Sequence, residues 1–206
     1  MRPFNFNKGK IFIILFIVIL AISFMGHGYS AAQETKRITW PEFKELINVF
    51  LNNPSKDNAE IILGFLPAQR NNIDKREWKE DLLEYCVMRG DCSWILTYEI
   101  FSGNIYAARI ARRLLNISDG AATEELCDTF GRLIRINPKL FLEIFYENYD
   151  PVFLECAVLM SMFWDGQERY RRYNYIRRIE SLRTVTDPEL KGIRDHCITI
   201  LERELR

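Results

Sequence analysis

Apolar residues recur along most of the chain at the three- and four-residue spacing of amphipathic helices. The first clear example runs from Trp40 to Phe50, where Phe43, Leu46 and Ile47 complete one apolar face. No stretch alternates convincingly between apolar and polar residues, as a half-buried strand would. The pattern therefore predicts an all-α protein.

Turn and cap residues divide the apolar pattern into about ten short segments, each long enough for a few helical turns. The pairs Asn137-Pro138 and Asp150-Pro151 interrupt it, and the last two segments cover roughly residues 167–184 and 187–206. Because turns of a few residues favour antiparallel neighbours, we expect short antiparallel helices stacked as helical hairpins, an α-solenoid or HEAT-like architecture.

Two segments in the middle of the chain each have an apolar face. The segment after Asp74-x-x-Glu77 carries Trp78, Leu82 and Cys86 there. The segment that begins at Asp91–Ser93 carries Trp94, Tyr98 and Phe101.

A short motif is repeated. Phe43-x-x-Leu46-Ile47 recurs 87 residues later, starting at Phe130, and an Asn-Pro pair follows each copy. Half of that interval is close to the unit length of about 40–47 residues in HEAT and armadillo arrays. Chance similarity between amphipathic helices is the alternative explanation, so the motif predicts an architecture and no particular family.

The apolar run Ile11–Met25 decides which compartment the rest of the chain would occupy. Three basic residues precede it, and small residues follow it up to Ala32. The run has 15 residues, whereas a bilayer span takes about 20. We therefore predict a signal peptide at residues 1–32, cleaved after Ala32 or Ser30, with an uncleaved membrane anchor as the alternative.

Residues 33–206 are then expected to form a single all-helical domain that is exported, either periplasmic or extracellular. If the leader stays attached, membrane contact is expected through residues 11–25 alone. The whole chain has 28 basic and 28 acidic residues, and three basic ones precede the apolar run, which leaves 25 against 28. A nearly neutral surface of this kind argues against a nucleic-acid partner.

The five cysteines are too few for a disulfide scaffold. Cys86 and Cys92 are the one close pair, and an oxidising compartment would allow them to form a disulfide. A buried free thiol at Cys86 is the alternative. Cys127, Cys156 and Cys197 are expected to be free and largely buried.

Motifs for catalysis, metal binding or cofactor binding are missing from the sequence. His196 is the one histidine after the leader, which excludes a multi-histidine metal site, and we predict no cofactor. Glu180-Ser181 resembles the Glu-Ser pair of lytic transglycosylases, which are exported helical enzymes acting on peptidoglycan. That resemblance covers two residues, and the Gly-Leu-Met-Gln type of segment is absent downstream. It implies a carboxylate-dependent enzyme acting on cell-wall glycan.

Residues 169–183 form the most distinctive stretch, with six arginines and one glutamate. A helix places Tyr175, Ile179 and Leu182 inward and leaves tyrosine and arginine on the other side. Such a surface favours an acidic partner, through bidentate hydrogen bonds and stacking. The candidate binding face consists of Tyr170, Arg171, Tyr173, Asn174, Arg177 and Arg178.

A competing interpretation assigns these arginines to internal charge neutralisation. Residues 140–165 contain five carboxylates and no lysine or arginine. Since sequence neighbours usually lie together in space, Glu143, Glu147 or Glu155 could pair with the arginine-rich helix.

Two hypotheses for the function follow. We expect a non-enzymatic protein-interaction or scaffold module of the cell envelope or secreted space, with another protein or an acidic polymer as its partner. The alternative is the exported glycan-cleaving enzyme.

Overall fold

The computed structural model describes residues 38–69, 78–88, 90–160 and 168–206. The predicted leader and both predicted cleavage sites lie outside these ranges. In the described ranges the chain forms helices and no strand, so the all-α prediction is confirmed. None of these helices combines the length and the apolar character that crossing a bilayer requires.

The helices of the described ranges are numbered here in chain order. They are α1 (Trp40–Asn52), α2 (Lys56–Phe65), α3 (Lys79–Leu83), α4 (Asp91–Phe101), α5 (Ile105–Leu115), α6 (Gly120–Ile136), α7 (Pro138–Glu147), α8 (Pro151–Leu159), α9 (Glu168–Arg183) and α10 (Lys191–Glu204). Between α3 and α4, residues Glu84–Met88 continue α3 as a π-helical segment.

Side-chain caps stabilise the starts of several helices. The Glu42 carboxylate accepts a hydrogen bond from the Thr39 backbone N–H at 2.9 Å, which closes a capping box at the start of α1. Asn137 accepts one from the Leu140 N–H at the start of α7, and Asp150 does the same for α8. Both caps precede a proline, which has no N–H to satisfy at the first helical position.

The last helix starts later than the sequence predicts. Residues 188–190 form a turn, in which the Asp187 carboxylate accepts a hydrogen bond from the Glu189 N–H, and α10 begins at Lys191. Asp187 therefore caps a turn here, because an Asp side chain can bond to backbone two residues ahead outside a helix as well as at its start.

Alternate helices contact one another in two series. In one series α4 contacts α6, α6 contacts α8, and α8 contacts α10; in the other, α5 contacts α7 and α7 contacts α9. α1 packs on α4, and α2 packs on α5. The longest helix, α6, also contacts α5, α7 and α9, and so lies at the centre of these contacts.

The centre of the core is aromatic and aliphatic. Phe130, Leu133 and Ile134 of α6 have no exposed surface, and the Phe130 ring meets the edge of the Phe145 ring on α7 at 5.2 Å between centroids. Burial of such side chains contributes about 1.5–3 kcal/mol each. The motif noted in the sequence at Phe130 is therefore a core motif.

Candidate binding surface

Helix α9 carries the predicted binding face. Its predicted inward stripe, Tyr175, Ile179 and Leu182, is buried. The Tyr175 hydroxyl donates to the Leu159 carbonyl at the end of α8, at 3.0 Å, and fixes the helix against its neighbour. The opposite side of α9 is therefore presented outward.

The six predicted residues divide into an exposed group and a buried group. Tyr170 and Tyr173 are 59% and 53% exposed, and Arg171 and Arg177 are exposed as well. We call these four residues the basic aromatic face. Asn174 and Arg178 are buried, so they do not belong to an accessible surface.

Arg178 points into the protein and binds the end of α8. Its two terminal nitrogens donate to the carbonyls of Val158 and Met160, both at 2.6 Å. The last carbonyls of a helix have no partner within the helix, and a cation there also opposes the negative end of the helix dipole. Arg178 therefore acts as a buried cap for α8.

Burial destabilises the charged form of the Arg178 side chain. Burial lowers the pKa of Arg178 to about 10, and the nearby Asp128 carboxylate opposes this shift. Asp128 is buried, and it lies 3.7 Å from the guanidinium of Arg132. At neutral pH Arg178 remains charged, which strengthens its hydrogen bonds to the two carbonyls.

Space for Arg178 comes from Gly131 on α6. A Cβ atom at position 131 would lie 2.7 Å from the Arg178 guanidinium and 2.7 Å from the Ala157 carbonyl oxygen. Asn174 is held in a related way, since its side-chain oxygen accepts a hydrogen bond from Arg135 of α6 at 2.9 Å. Both buried members of the predicted set thus attach α9 to the core.

The charge-neutralisation interpretation concerns three glutamates, and each of them pairs with a cation outside α9. Glu143 pairs with Lys139 at 3.6 Å, Glu147 with Arg109 at 2.6 Å, and Glu155 with Arg203. On α9 itself, Arg177 pairs with Glu180 at 2.9 Å. The predicted ion pairs are therefore replaced by pairs with other helices or within one helix.

The five cysteines divide into one bridged pair and three free thiols. The sulfur atoms of Cys86 and Cys92 are joined in a disulfide that links the π-helical segment to α4, with the Cα atoms 4.7 Å apart. Cys127 and Cys197 are buried free thiols, and Cys156 is a half-buried one.

The structure has two surface features that the sequence does not predict. Trp94 and Tyr98 of α4, assigned there to an apolar face, are 78% and 70% exposed, while Cys92, Leu96 and Ile100 face the core. Because α4 is apolar on both sides, its spacing pattern does not distinguish the buried side. Either side of α4 is therefore a candidate for the buried side when the sequence is considered alone.

The second feature is an open hollow of about 310 Å³ beside the π-helical segment. Trp40, Asp81, Glu84 and Tyr85 contribute to its lining. The Lys44 ammonium lies over the Tyr85 ring, 4.5 Å from its centre. A cation of the protein itself therefore already contacts the face of that ring.

The enzyme hypothesis depends on the carboxylates of the chain. Among the described residues Asp128 is the one buried carboxylate. Glu180 is exposed and paired with Arg177. The described ranges also contain no group of three His, Cys, Asp or Glu side chains that could hold a metal ion.

No protein-family model, curated protein or solved structure matches this chain.

Proposed function

We propose that this protein is an exported, non-enzymatic interaction module that binds an acidic segment of another protein through its basic aromatic face. The observation that carries the proposal is the division of α9 into two sides. One side is attached to α6 and α8 by buried side chains, and the other presents two tyrosines and two arginines to solvent.

The attachment of α9 matters because it lowers the entropy lost on binding. A helix held by Arg178, Asn174 and Tyr175 presents its exposed side chains on a fixed backbone. Binding sites on such a backbone lose less freedom than sites on mobile loops. Tyrosine and arginine are also among the residues most enriched at the positions that dominate binding energy.

The stacked helical hairpins expected from the sequence belong to the same proposal. The two series of alternate contacts, α4–α6–α8–α10 and α5–α7–α9, support such a layout, because each hairpin of a solenoid packs on the next. Solenoids present extended surfaces, a geometry suited to a protein partner.

Export is supported by the leader-like start of the sequence and by the disulfide. A basic flank, an apolar run and small residues precede residue 33 in the order typical of signal peptides. Disulfides such as Cys86–Cys92 persist mainly in oxidising compartments.

The test uses an acidic peptide probe of defined sequence, a fluorescent polyglutamate, titrated with the purified protein. The variant Arg171→Ala/Arg177→Ala removes two charges from the face, and Lys191→Ala/Arg206→Ala removes two exposed charges from α10 and the C-terminal end. We expect the face variant to bind about tenfold more weakly, equivalent to about 1.4 kcal/mol, and the control to bind as the wild type does.

Two results would contradict the proposal. Equal weakening by both variants would mean that the probe senses overall charge and no particular face. Tighter binding to an anionic polysaccharide of similar charge density would make an acidic polymer, and not a protein segment, the better partner. Melting temperatures should stay close together, since exposed charges contribute about 0–1 kcal/mol each.

A further inference from the structure

The outer side of α4 carries an exposed aromatic stripe. Asp91, Trp94, Ile95 and Tyr98 follow i, i+3, i+4, i+7 spacing, which places them on one side of the helix. All four are exposed, and Trp94 is the most exposed large apolar side chain of the described ranges. Tryptophan is highly buried on average, and contiguous exposed apolar patches mark binding sites. We call these four residues the acidic aromatic face.

Further negative charge lies close to this face along the chain. Residues 79–99 contain five carboxylates and two basic residues. Asp81 and Glu84 are exposed, as Asp91 is, and the Cys86–Cys92 disulfide joins the segment that carries Glu84 to the start of α4. None of these three carboxylates forms an ion pair with another residue of the described ranges. Their charge therefore adds to that of the acidic aromatic face.

The basic aromatic face of α9 has a similar layout and the opposite charge. Tyr170, Tyr173 and Arg177 follow i, i+3, i+7 spacing, and Ile176 beside them is 46% exposed. The helix as a whole contains six arginines and two glutamates. Each of the two faces thus combines exposed aromatic and aliphatic side chains with charge, and the two charges are of opposite sign.

We propose that the acidic segment bound by the basic aromatic face belongs to a second copy of this chain, and that it is the acidic aromatic face. The inference rests on the proposed function, because it names the partner of the same surface. Complementary charge steers and orients such an encounter. Tryptophan, tyrosine and arginine are also the residues enriched where the binding energy of an interface is concentrated, and such residues tend to meet their counterparts on the partner.

Charge also determines the type of interface. Two copies of the basic aromatic face would bring arginines against arginines, and two copies of the acidic aromatic face would bring carboxylates together, so neither face pairs with itself. The contact is therefore heterologous: a molecule uses one face toward one neighbour and keeps its other face for the next. Interfaces of this type build closed rings or open chains of molecules.

Sedimentation velocity of the protein purified from its native cells measures this association. The average mass of the wild type should rise above that of a monomer as the protein concentration increases. Added salt should shift the mass back toward the monomer, since screening weakens the attraction between exposed charges.

Two double variants, one for each face, make the test specific. Trp94→Ala/Tyr98→Ala removes the rings of the acidic aromatic face, and Arg171→Ala/Arg177→Ala removes two charges of the basic one. Each variant alone should stay monomeric at concentrations at which the wild type associates. An equal mixture of the two should form heterodimers and nothing larger, because one intact face of each kind is left. Formation of the heterodimer also shows that both variants are folded.

The matched control is Tyr146→Ala/Tyr149→Ala, which removes two exposed aromatic rings outside both faces. It should associate as the wild type does. Association that either face variant retains alone would place the interface elsewhere and overturn the inference. So would a mixture that stays monomeric although both variants melt as the wild type does.

The outcome for the wild type separates this inference from the proposed function. A wild type that is monomeric at every concentration, and yet binds polyglutamate through the basic aromatic face, would overturn self-association and leave the proposed function standing. A wild type that neither associates nor binds polyglutamate would contradict both.

Discussion

The position of the Arg178 guanidinium depends on the absence of a side chain at Gly131. Arg178 can reach the carbonyls at the end of α8 because Gly131 has no side chain at the point where α6, α8 and the guanidinium meet. A glycine inside a helix usually destabilises it by about 1 kcal/mol relative to alanine. Here the cost is offset by charged hydrogen bonds, each of which contributes about 1.5–3 kcal/mol.

We expect Gly131→Ala to lower the free energy of unfolding by about 1–3 kcal/mol, the usual range for overpacking in a core. The new methyl group would meet two backbone carbonyl oxygens and the Arg178 guanidinium, and backbone cannot easily move aside. Chemical denaturation followed by circular dichroism measures the change.

The matched control is Gly64→Ala on α2, where no atom lies within 4 Å of the added Cβ. It should leave stability unchanged or raise it by up to about 1 kcal/mol. If Gly131→Ala is as harmless as Gly64→Ala, the close packing inferred at Gly131 is wrong.

The helical wheel predicts Arg178 beside the exposed face of α9, but the structure buries it. Arginine is mostly exposed, and its partners here are backbone carbonyls of another helix, which no local pattern reveals. Its position did carry a signal, because Arg178 lies three residues after Tyr175 and four before Leu182, both inward-facing. Tyr170 and Tyr173 are exposed as their spacing predicts, whereas Asn174, assigned to the same side, is buried and bonded to Arg135.

At the scale of the helix, buried arginines recur as caps. Arg112 of α5 donates to the Asn148 carbonyl just after α7, as Arg178 does at the end of α8. Burial lowers the pKa of Arg112 to about 10 as well, and its guanidinium lies 5.3 Å from the centre of the Phe145 ring. Two successive helices are thus ended by a cation from another part of the chain.

Helix boundaries were predictable where the signal is local. Asn137-Pro138 and Asp150-Pro151 separate helices as the sequence predicts, and Asn137 and Asp150 then cap α7 and α8. The sequence predicts a start near residue 187, because Thr186-x-x-Glu189 has the spacing of a capping box. The turn at Asp187 competes with it, and α10 begins at Lys191. The exposed side of α4 depends on tertiary packing and so was not predictable.

The disulfide acts at the junction of the π-helical segment with α4. It closes a short loop, for which the chain-entropy estimate of stabilisation is about 2 kcal/mol. Cys86→Ala/Cys92→Ala should therefore lower the melting temperature, and reduction of the wild type should lower it in the same direction. Reductant should leave the variant unchanged, as a control. A wild type that melts identically with these two thiols fully released would contradict this expectation.

At the scale of the whole molecule, the predicted signal peptide would determine the compartment in which the basic aromatic face meets the proposed partner. We expect the protein isolated from its native cells to begin at Gln33 or Ala31, because small residues precede both positions. Amino-terminal sequencing gives the answer directly. Ser30→Leu/Ala32→Leu should block processing at both sites, and retention of Met1 in the wild type would indicate an anchor.

The central position of α6 has a consequence for the order in which the protein opens. Backbone amides exchange hydrogen with water when their hydrogen bonds break, and buried central helices usually exchange only through global unfolding. With neighbours on α4, α5, α7, α8 and α9, α6 should exchange most slowly and report the stability of the whole helical unit. The α10 helix contacts fewer helices, α7, α8 and α9, and should exchange earlier through local fraying, so deuterium uptake would reach α10 before α6.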